Sequence, residues 1–224
     1  MEIEPLPTTR APARSGAHEG RGRSEPAALD GLYLYAVIRS RTWRSGSQTE
    51  GEDITRVRYR DLEALVRPVP YRIPDLDDAR LNEHQRLVES TMRRGTVLPA
   101  PFGLVFRGRR AVIRFLEDQY IVLDEGLAFL EGHWELRLHI SGDEEDDALR
   151  ELATQLYSEM RRFARAAIPL PAGGSRLMSA AFLVDRSAWI EFVERSDDLN
   201  VAHPELTFDV TGPWPPYDFV RMTS

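Results

Sequence analysis

Cysteine and lysine are both missing from this 224-residue chain. Without cysteine there is no disulfide, thiolate metal site, iron–sulfur ligation or thiol nucleophile, an absence that fits a cytoplasmic protein. All 29 basic residues are arginine. That excludes a Walker-type phosphate loop, a pyridoxal Schiff base and a lysine general base, each of which needs the missing amine. Negative charge prevails, with a formal net charge of −7, so the broad basic face that nucleic-acid phosphates require is not expected. Long apolar runs are lacking too. The longest, Leu32 to Ile38, has strand length and falls far short of the ~20 residues of a membrane span. No G-x-S-x-G elbow, G-x-G-x-x-G after a strand or H-E-x-x-H occurs.

What is present reads as α+β. Residues 1–30 combine Pro, Gly, Ala, Arg and Glu with few aliphatics, so they are expected to be a disordered tail, a dispensable extension of the fold. Order is expected from Gly31. Leu32, Leu34, Ala36 and Ile38 alternate with Tyr33, Tyr35 and Val37 in a strand buried on both faces. After a polar loop through Gly46 and Gly51, Ile54–Tyr59 and Leu62–Val69 predict two strands joined near Asp61. Helical spacing then places Leu81, His84, Leu87, Val88, Thr91 and Met92 on one face, closed by Gly95. A proline-broken strand spans Thr96–Phe106. A second helix carries Val112, Phe115, Leu116, Tyr120, Leu123, Leu127 and Leu130 and is closed by Gly132; Arg107, Arg109 and Arg110 form its solvated start.

A second unit is expected at His133, dividing the chain into a domain over 31–132 and another over 133–224. Its first strand turns Trp134, Leu136, Leu138 and Ile140 one way and His133, Glu135, Arg137 and His139 the other. The acidic run Asp143–Asp147 opens a helix with Leu149, Leu152, Leu156, Met160, Phe163 and Ala167 inward. Pro169, Pro171, Gly173 and Gly174 make a turn, and Leu177–Val184 predicts a central strand. Asp185 or Ser187 caps a short helix through Trp189, Ile190 and Val193, and a last strand runs from Leu206 to Val210. The order suggests a βαβαβ or ferredoxin-like second domain.

Candidate chemistry is sparse. His133, Glu135 and His139 share a strand face and are of metal-binding type. However, the two histidines lie on the order of 20 Å apart along an extended strand, so a solvated face is the better reading. His84, on an apolar helix face, reads as a half-buried, hydrogen-bonded histidine rather than a base. His203 has no evident partner. The acidic run lacks the glycine and the spacing of a calcium loop, and Asp77-Asp78 and Asp197-Asp198 read as surface or capping groups. No catalytic, cofactor-binding or metal residue is assigned.

The strongest signal is Gly212-Pro213-Trp214-Pro215-Pro216-Tyr217. Three prolines remove donors and fix φ, so the segment is stiff, extended and unfit for helix or central strand. Its two aromatics need a surface to dock on, and internal packing is favoured over partner binding.

Four segments resemble the gas vesicle GvpF/GvpL family. They are TGPWPPYDFV (211–220), TVLPAPFGLVF (96–106), the opening strand LYLYAVI, and LEGHWELRLHI (130–140). Matching positions are Leu98, Pro99, Phe102, Gly103 and Phe106, with Gly212, Pro213, Trp214, Pro215, Pro216 and Tyr217. The resemblance implies two α+β domains, the second a modified ferredoxin-like fold. It also implies a cytoplasmic, gas-vesicle-associated accessory or minor structural protein that acts in assembly through protein contacts. The implied partners are the small hydrophobic shell protein and other accessory proteins, and no enzyme activity or cofactor is implied. Pro101 replaces the family's usual basic residue, and the stretch between His139 and Leu177 has room for only one helix. The alternative is a ferredoxin-like small-ligand-binding or cryptic enzymatic domain using His84 or the His133 face.

Overall fold

The computed structural model describes residues 29–40, 53–72, 74, 77–220 and 222. The tail over 1–28 and the polar loop around Gly46 and Gly51 lie outside them. Strands β1 (Gly31–Arg39), β2 (Thr55–Tyr59), β3 (Leu62–Val69), β4 (Leu98–Pro99) and β5 (Val105–Phe106) make the first sheet. Its order is β2-β3-β1-β4, with β5 also on β1, and every pairing is antiparallel.

β1 is buried on both faces, but its alternation is not simple. The register slips between Leu34 and Ala36. This bulge moves Ala36 and Ile38 to the side of Tyr33 and Tyr35, and puts Val37 with Leu34. The expected proline-broken strand becomes two short pieces. Pro99 and Pro101 carry no N–H for a continuous ladder, and Gly103 turns the chain at φ +91°. Ala100 N donating to Tyr35 O (2.9 Å) and Leu34 N donating to Leu104 O (2.9 Å) carry the bonding across the gap.

Helix α1 (Asp78–Arg94) covers the tyrosine side of this sheet with Leu87, Val88 and Met92. Asp77 caps it by accepting from Arg80 N (2.8 Å). On the opposite side the expected second helix is two, α2 (Gly108–Asp118) and α3 (Tyr120–Leu130), hinged at Gln119 with φ −101° and ψ 9°. No Pro or Gly marks that hinge. The two helices still present Val112, Phe115, Leu116, Leu123, Leu127 and Leu130 to one cluster with Leu34, Val37 and Val66.

The second sheet contains β6 (His133–Ser141), β7 (Ala166–Pro169), β8 (Arg176–Asp185) and β9 (Thr207–Trp214) in the order β7-β8-β6-β9, all antiparallel. Helices α4 (Asp147–Met160) and α5 (Trp189–Ala202) lie on one face. This β-α-β-β-α-β order is the ferredoxin-like arrangement. The expected long helix stops at Met160, passes a 3-10 turn over Arg161–Phe163, and yields the edge strand β7, so Ala167 belongs to the sheet. Asp146 caps α4 by accepting from Ala148 and Leu149 N. α5 outruns the short helix expected and starts after Ala188, while Asp185 instead accepts from the N–H and hydroxyl of Ser187. Arg195 pairs with Glu159 and ties α5 to α4.

Candidate functional site

The family-like positions divide between the two sides of the first sheet, Leu98 and Phe106 on the α2–α3 cluster and Phe102 and Tyr217 on the tyrosine cluster. Leu98 and Pro99 pair with Val37 and Ala36, so the first motif segment closes the bulged half of β1. Phe102 stands edge-on to Tyr33 (6.0 Å) and His84 (5.9 Å), and Phe106 packs 5.0 Å from Phe115. His84 is buried and bonded at both ring nitrogens: Nδ1 accepts from the Tyr33 hydroxyl (2.7 Å), and Nε2 donates to Ala100 O (3.1 Å). These partners assign a neutral Nε2–H tautomer. Burial lowers its pKa to about 4 against the usual 6.5. Gly103 N in turn donates to the Tyr33 hydroxyl (3.3 Å). His84 therefore pins α1 to β1 and to the motif loop.

The second motif runs through the end of β9 and across the second sheet. Gly212 has φ +122°, and a side chain there would meet Glu135 O at 2.9 Å and the Leu136 side chain at 3.0 Å. The strand passes this close because the β6–β9 register shifts between Glu135 and Arg137. The proline–aromatic string is thus partly an edge strand, ending at Trp214. Beyond it, Tyr217–Phe219 form a 3-10 turn that straps the two units together. Tyr217 enters the cluster of Tyr33, Tyr35 and Leu87, while Phe219, Val220 and Met222 pack on the cluster of α2 and α3. Trp214 itself is 37% exposed, its indole N–H donating to the Thr211 hydroxyl (3.2 Å). The inward-packed aromatic of the string is therefore Tyr217, not Trp214.

The strap covers the strand face expected to be solvated. Glu135 is 0% exposed. Its Oε1 accepts from Arg137 Nε (2.9 Å) and its Oε2 from Asp218 N (3.0 Å). Arg137 also reaches Asp218 Oδ2 through Nε (3.1 Å) and Nη2 (3.0 Å). Burial raises the Glu135 pKa to about 8, outweighing the Asp218 backbone donor and the Arg137 charge. His133 Nδ1 bonds Glu131 O (2.7 Å), and His139 Nδ1 bonds the Ser179 hydroxyl (2.9 Å). The metal-type trio is thus divided among three separate partners. His203, with no evident partner in the sequence, lies 3.3 Å from Glu205 Oε1.

Two surface features flank the strap, and neither was foreseen in detail. An open, largely apolar groove runs between α3, β7 and the strap, lined by Val122, Phe129, Ile168, Phe219, Val220 and Met222 among others. Beside it Ile121 is 69% and Val122 58% exposed, and the Arg165 guanidinium sits 4.9 Å over the Phe129 ring. A signal existed in α3: it is apolar nearly all round, since Ile121, Val122 and Phe129 fall off its inward stripe. On the tyrosine side of the first sheet, a cleft has Tyr33, Tyr35 and Phe102 in its walls with Arg67, Arg72, Arg80 and Glu83. Among the described residues no metal-binding group of three His, Asp or Glu occurs, and no helix is long and apolar enough to cross a membrane.

A family model described as gas vesicle synthesis protein GvpL/GvpF matches residues 31–155 and 143–221. Gas vesicle protein F1 of Halobacterium salinarum is 25% identical over 204 residues, covering 86% of this chain and 94% of its own. Gas vesicle protein L of a Streptomyces species is 27% identical over 249 residues, covering 85% of this chain and 92% of its own. In fold the chain is similar to the crystal structure of GvpF from Anabaena sp., with a TM-score of 0.74 at 18% identity, covering 87% of this chain and 100% of that one. GvpF from Microcystis aeruginosa gives a TM-score of 0.72 at 18% identity, covering 86% and 100%.

Proposed function

The chain belongs to the gas vesicle synthesis protein GvpL/GvpF family, and from that premise we propose that it acts in vesicle assembly by holding the small hydrophobic shell protein in the groove beside α3. The reading makes it a cytoplasmic, non-enzymatic accessory or minor structural protein. Its two domains, 31–132 and 133–224, are joined by the C-terminal strap, and other accessory proteins are further partners.

The observation that carries the reading is the groove. Large apolar side chains stand exposed beside an apolar channel whose floor is Leu98, Leu123 and Gly126. A contiguous apolar patch with a polar surround is the mark of a binding surface rather than of a solvated face. β7 is an edge strand, so it adds unpaired backbone groups to the same place, which suits an apolar, strand-forming partner. Both ring nitrogens of His84 are bonded, and Glu135 lies beneath the strap, so neither group opens onto the groove.

Ile121→Asp with Val122→Asp tests the proposal on co-expressed shell protein. Both positions are exposed, so the melting temperature should hold. Each lost apolar contact removes about 1.5–3 kcal/mol, and capture should fall at least tenfold. Val201→Asp, on the 81% exposed flank of α5, should leave capture unchanged. Undiminished capture by the groove variant overturns the assignment.

A further inference from the structure

Resting on the groove assignment above, we propose that the shell protein enters the groove as an extended strand. It adds to the free edge of β7 through the backbone of Ala167 and lays alternate apolar side chains against α3.

The edge strands of the two sheets are covered unequally. At β2, an edge of the first sheet, the Arg109 guanidinium donates to Arg56 O (3.4 Å). At β9, one edge of the second sheet, Asn200 Oδ1 accepts from Phe208 N (3.0 Å), and Pro213 has no N–H to offer. Such devices blunt an edge against an added strand. β7 is the other edge of the second sheet, and among the described residues no side chain bonds its backbone.

The phase of the β7–β8 ladder decides which backbone groups are free. Leu170 N donates to Ser179 O (2.8 Å), continuing the register that pairs Ile168 with Ala181 and Ala166 with Leu183. Alternation then turns the N–H and C=O of Ala167 outward, with the C=O of Pro169 beside them. Pro169 brings no N–H, so the outward donor is that of Ala167. The side chains agree with this placement. Ala166 and Ile168 share a face and line the groove, whereas Ala167 packs on the opposite side with the cluster beneath α4 and α5. The β7 wall of the groove is therefore continuous with the second sheet. A strand added about 4.8 Å beyond β7 extends that wall. Its side chains on the Ile168 face meet the apolar lining that Val122 and Phe129 supply.

The backbone also selects the occupant. A helix seated against β7 would strip water from Ala167 N–H and return no acceptor, weakening binding on the order of tenfold. A strand returns a carbonyl to that donor and supplies N–H groups to the Ala167 and Pro169 carbonyls. Main-chain bonds then give affinity, and the alternate side chains in the groove give specificity.

Capture of co-expressed shell protein is compared for wild type, Ala167→Ser, Ala167→Pro and Ile121→Asp/Val122→Asp. Proline removes the outward N–H without touching a β7–β8 bond, so Ala167→Pro should melt close to Ala167→Ser. The serine variant keeps the donor and should capture as wild type does, whereas the proline variant should capture at least tenfold less. Hydrogen exchange at the Ala167 amide, read by NMR on the wild-type chain, tests the same contact without a substitution. It should slow at least tenfold in the complex. Capture lost in the α3 variant but intact in Ala167→Pro, with the Ala167 amide unprotected, overturns the strand mode and leaves the groove assignment standing. Undiminished capture by both variants overturns both.

Discussion

Tyr217 supplies the clearest residue-scale test, because its ring and its hydroxyl pull in opposite directions. The ring is half-buried against Tyr33, Tyr35 and Leu87, with its centroid 6.3 Å from that of His84. Its hydroxyl is buried but has no hydrogen-bond partner among the described residues, and burial drives its pKa well above the tyrosine range. An unpaired buried hydroxyl costs about 1–3 kcal/mol, so Tyr217→Phe should leave the melting temperature unchanged or raise it. Tyr217→Ala removes the half-buried ring and should cost about 2–3 kcal/mol, less than a fully buried aromatic. Denaturant titration of both variants decides between them; a phenylalanine variant that loses as much as the alanine one would mean the hydroxyl has a partner. Gly212 admits a second substitution. At φ +122°, with Glu135 O only 2.9 Å from any Cβ, Gly212→Ala should be destabilising by at least ~1 kcal/mol.

Among elements, the strap matters most, since one short segment touches the two core clusters on either side of the first sheet and covers Glu135 on the second. Its polar attachment is the Arg137–Asp218 pair, at 3.0 Å and partly exposed. A double-mutant cycle with Arg137→Met and Asp218→Asn should report a coupling of roughly 1 kcal/mol, modest because solvent screens the pair. Purely additive effects would mean the apolar contacts alone seat the strap. Sequence reading reached this segment by its prolines and aromatics and favoured internal packing over partner binding. It assigned the role to Trp214 as well as Tyr217, because nothing in local spacing says which aromatic lies under the other sheet. The same limit explains the other differences. Periodicity located β1, β2, β3, α1, β6, α4 and β8, all long enough for their patterns to repeat. It missed β7, a four-residue strand ended by Pro169, and the hinge at Gln119, where no breaker residue stands. The bulge at Tyr35 reversed the facing of Val37 and Ile38, an event set by pairing with β3 and β4 and not by composition. The polar face of β6 read as solvated because its cover arrives from about 80 residues away, at Asp218. The groove and the cleft, built from side chains distant in sequence, were not legible as sites.

For the molecule as a whole, two buried titratable groups at the seam set opposite pH limits. Glu135 has a folded pKa of about 8 against an ordinary 4.5, so between those values the folded state holds a proton that the unfolded chain has released. Its contribution is complete below pH 4.5 and is lost as pH rises through 8. His84 has a folded pKa of about 4 against 6.5, so between those values the unfolded chain holds the extra proton. Its contribution is complete above pH 6.5 and is lost as pH falls through 4. From 4.5 to 6.5 the two slopes oppose and largely cancel. Stability from these groups should therefore fall on either side of that window, at no more than about 1.4 kcal/mol per pH unit for one proton. Glu135→Gln keeps an acceptor and the side-chain shape but cannot ionise. It should abolish the decline between pH 6.5 and 8 and leave the acid limb intact, as read from urea midpoints across the range. If the alkaline decline persists in the glutamine variant, the seam carboxyl is already ionised in the folded protein, and Arg137 rather than burial governs its charge.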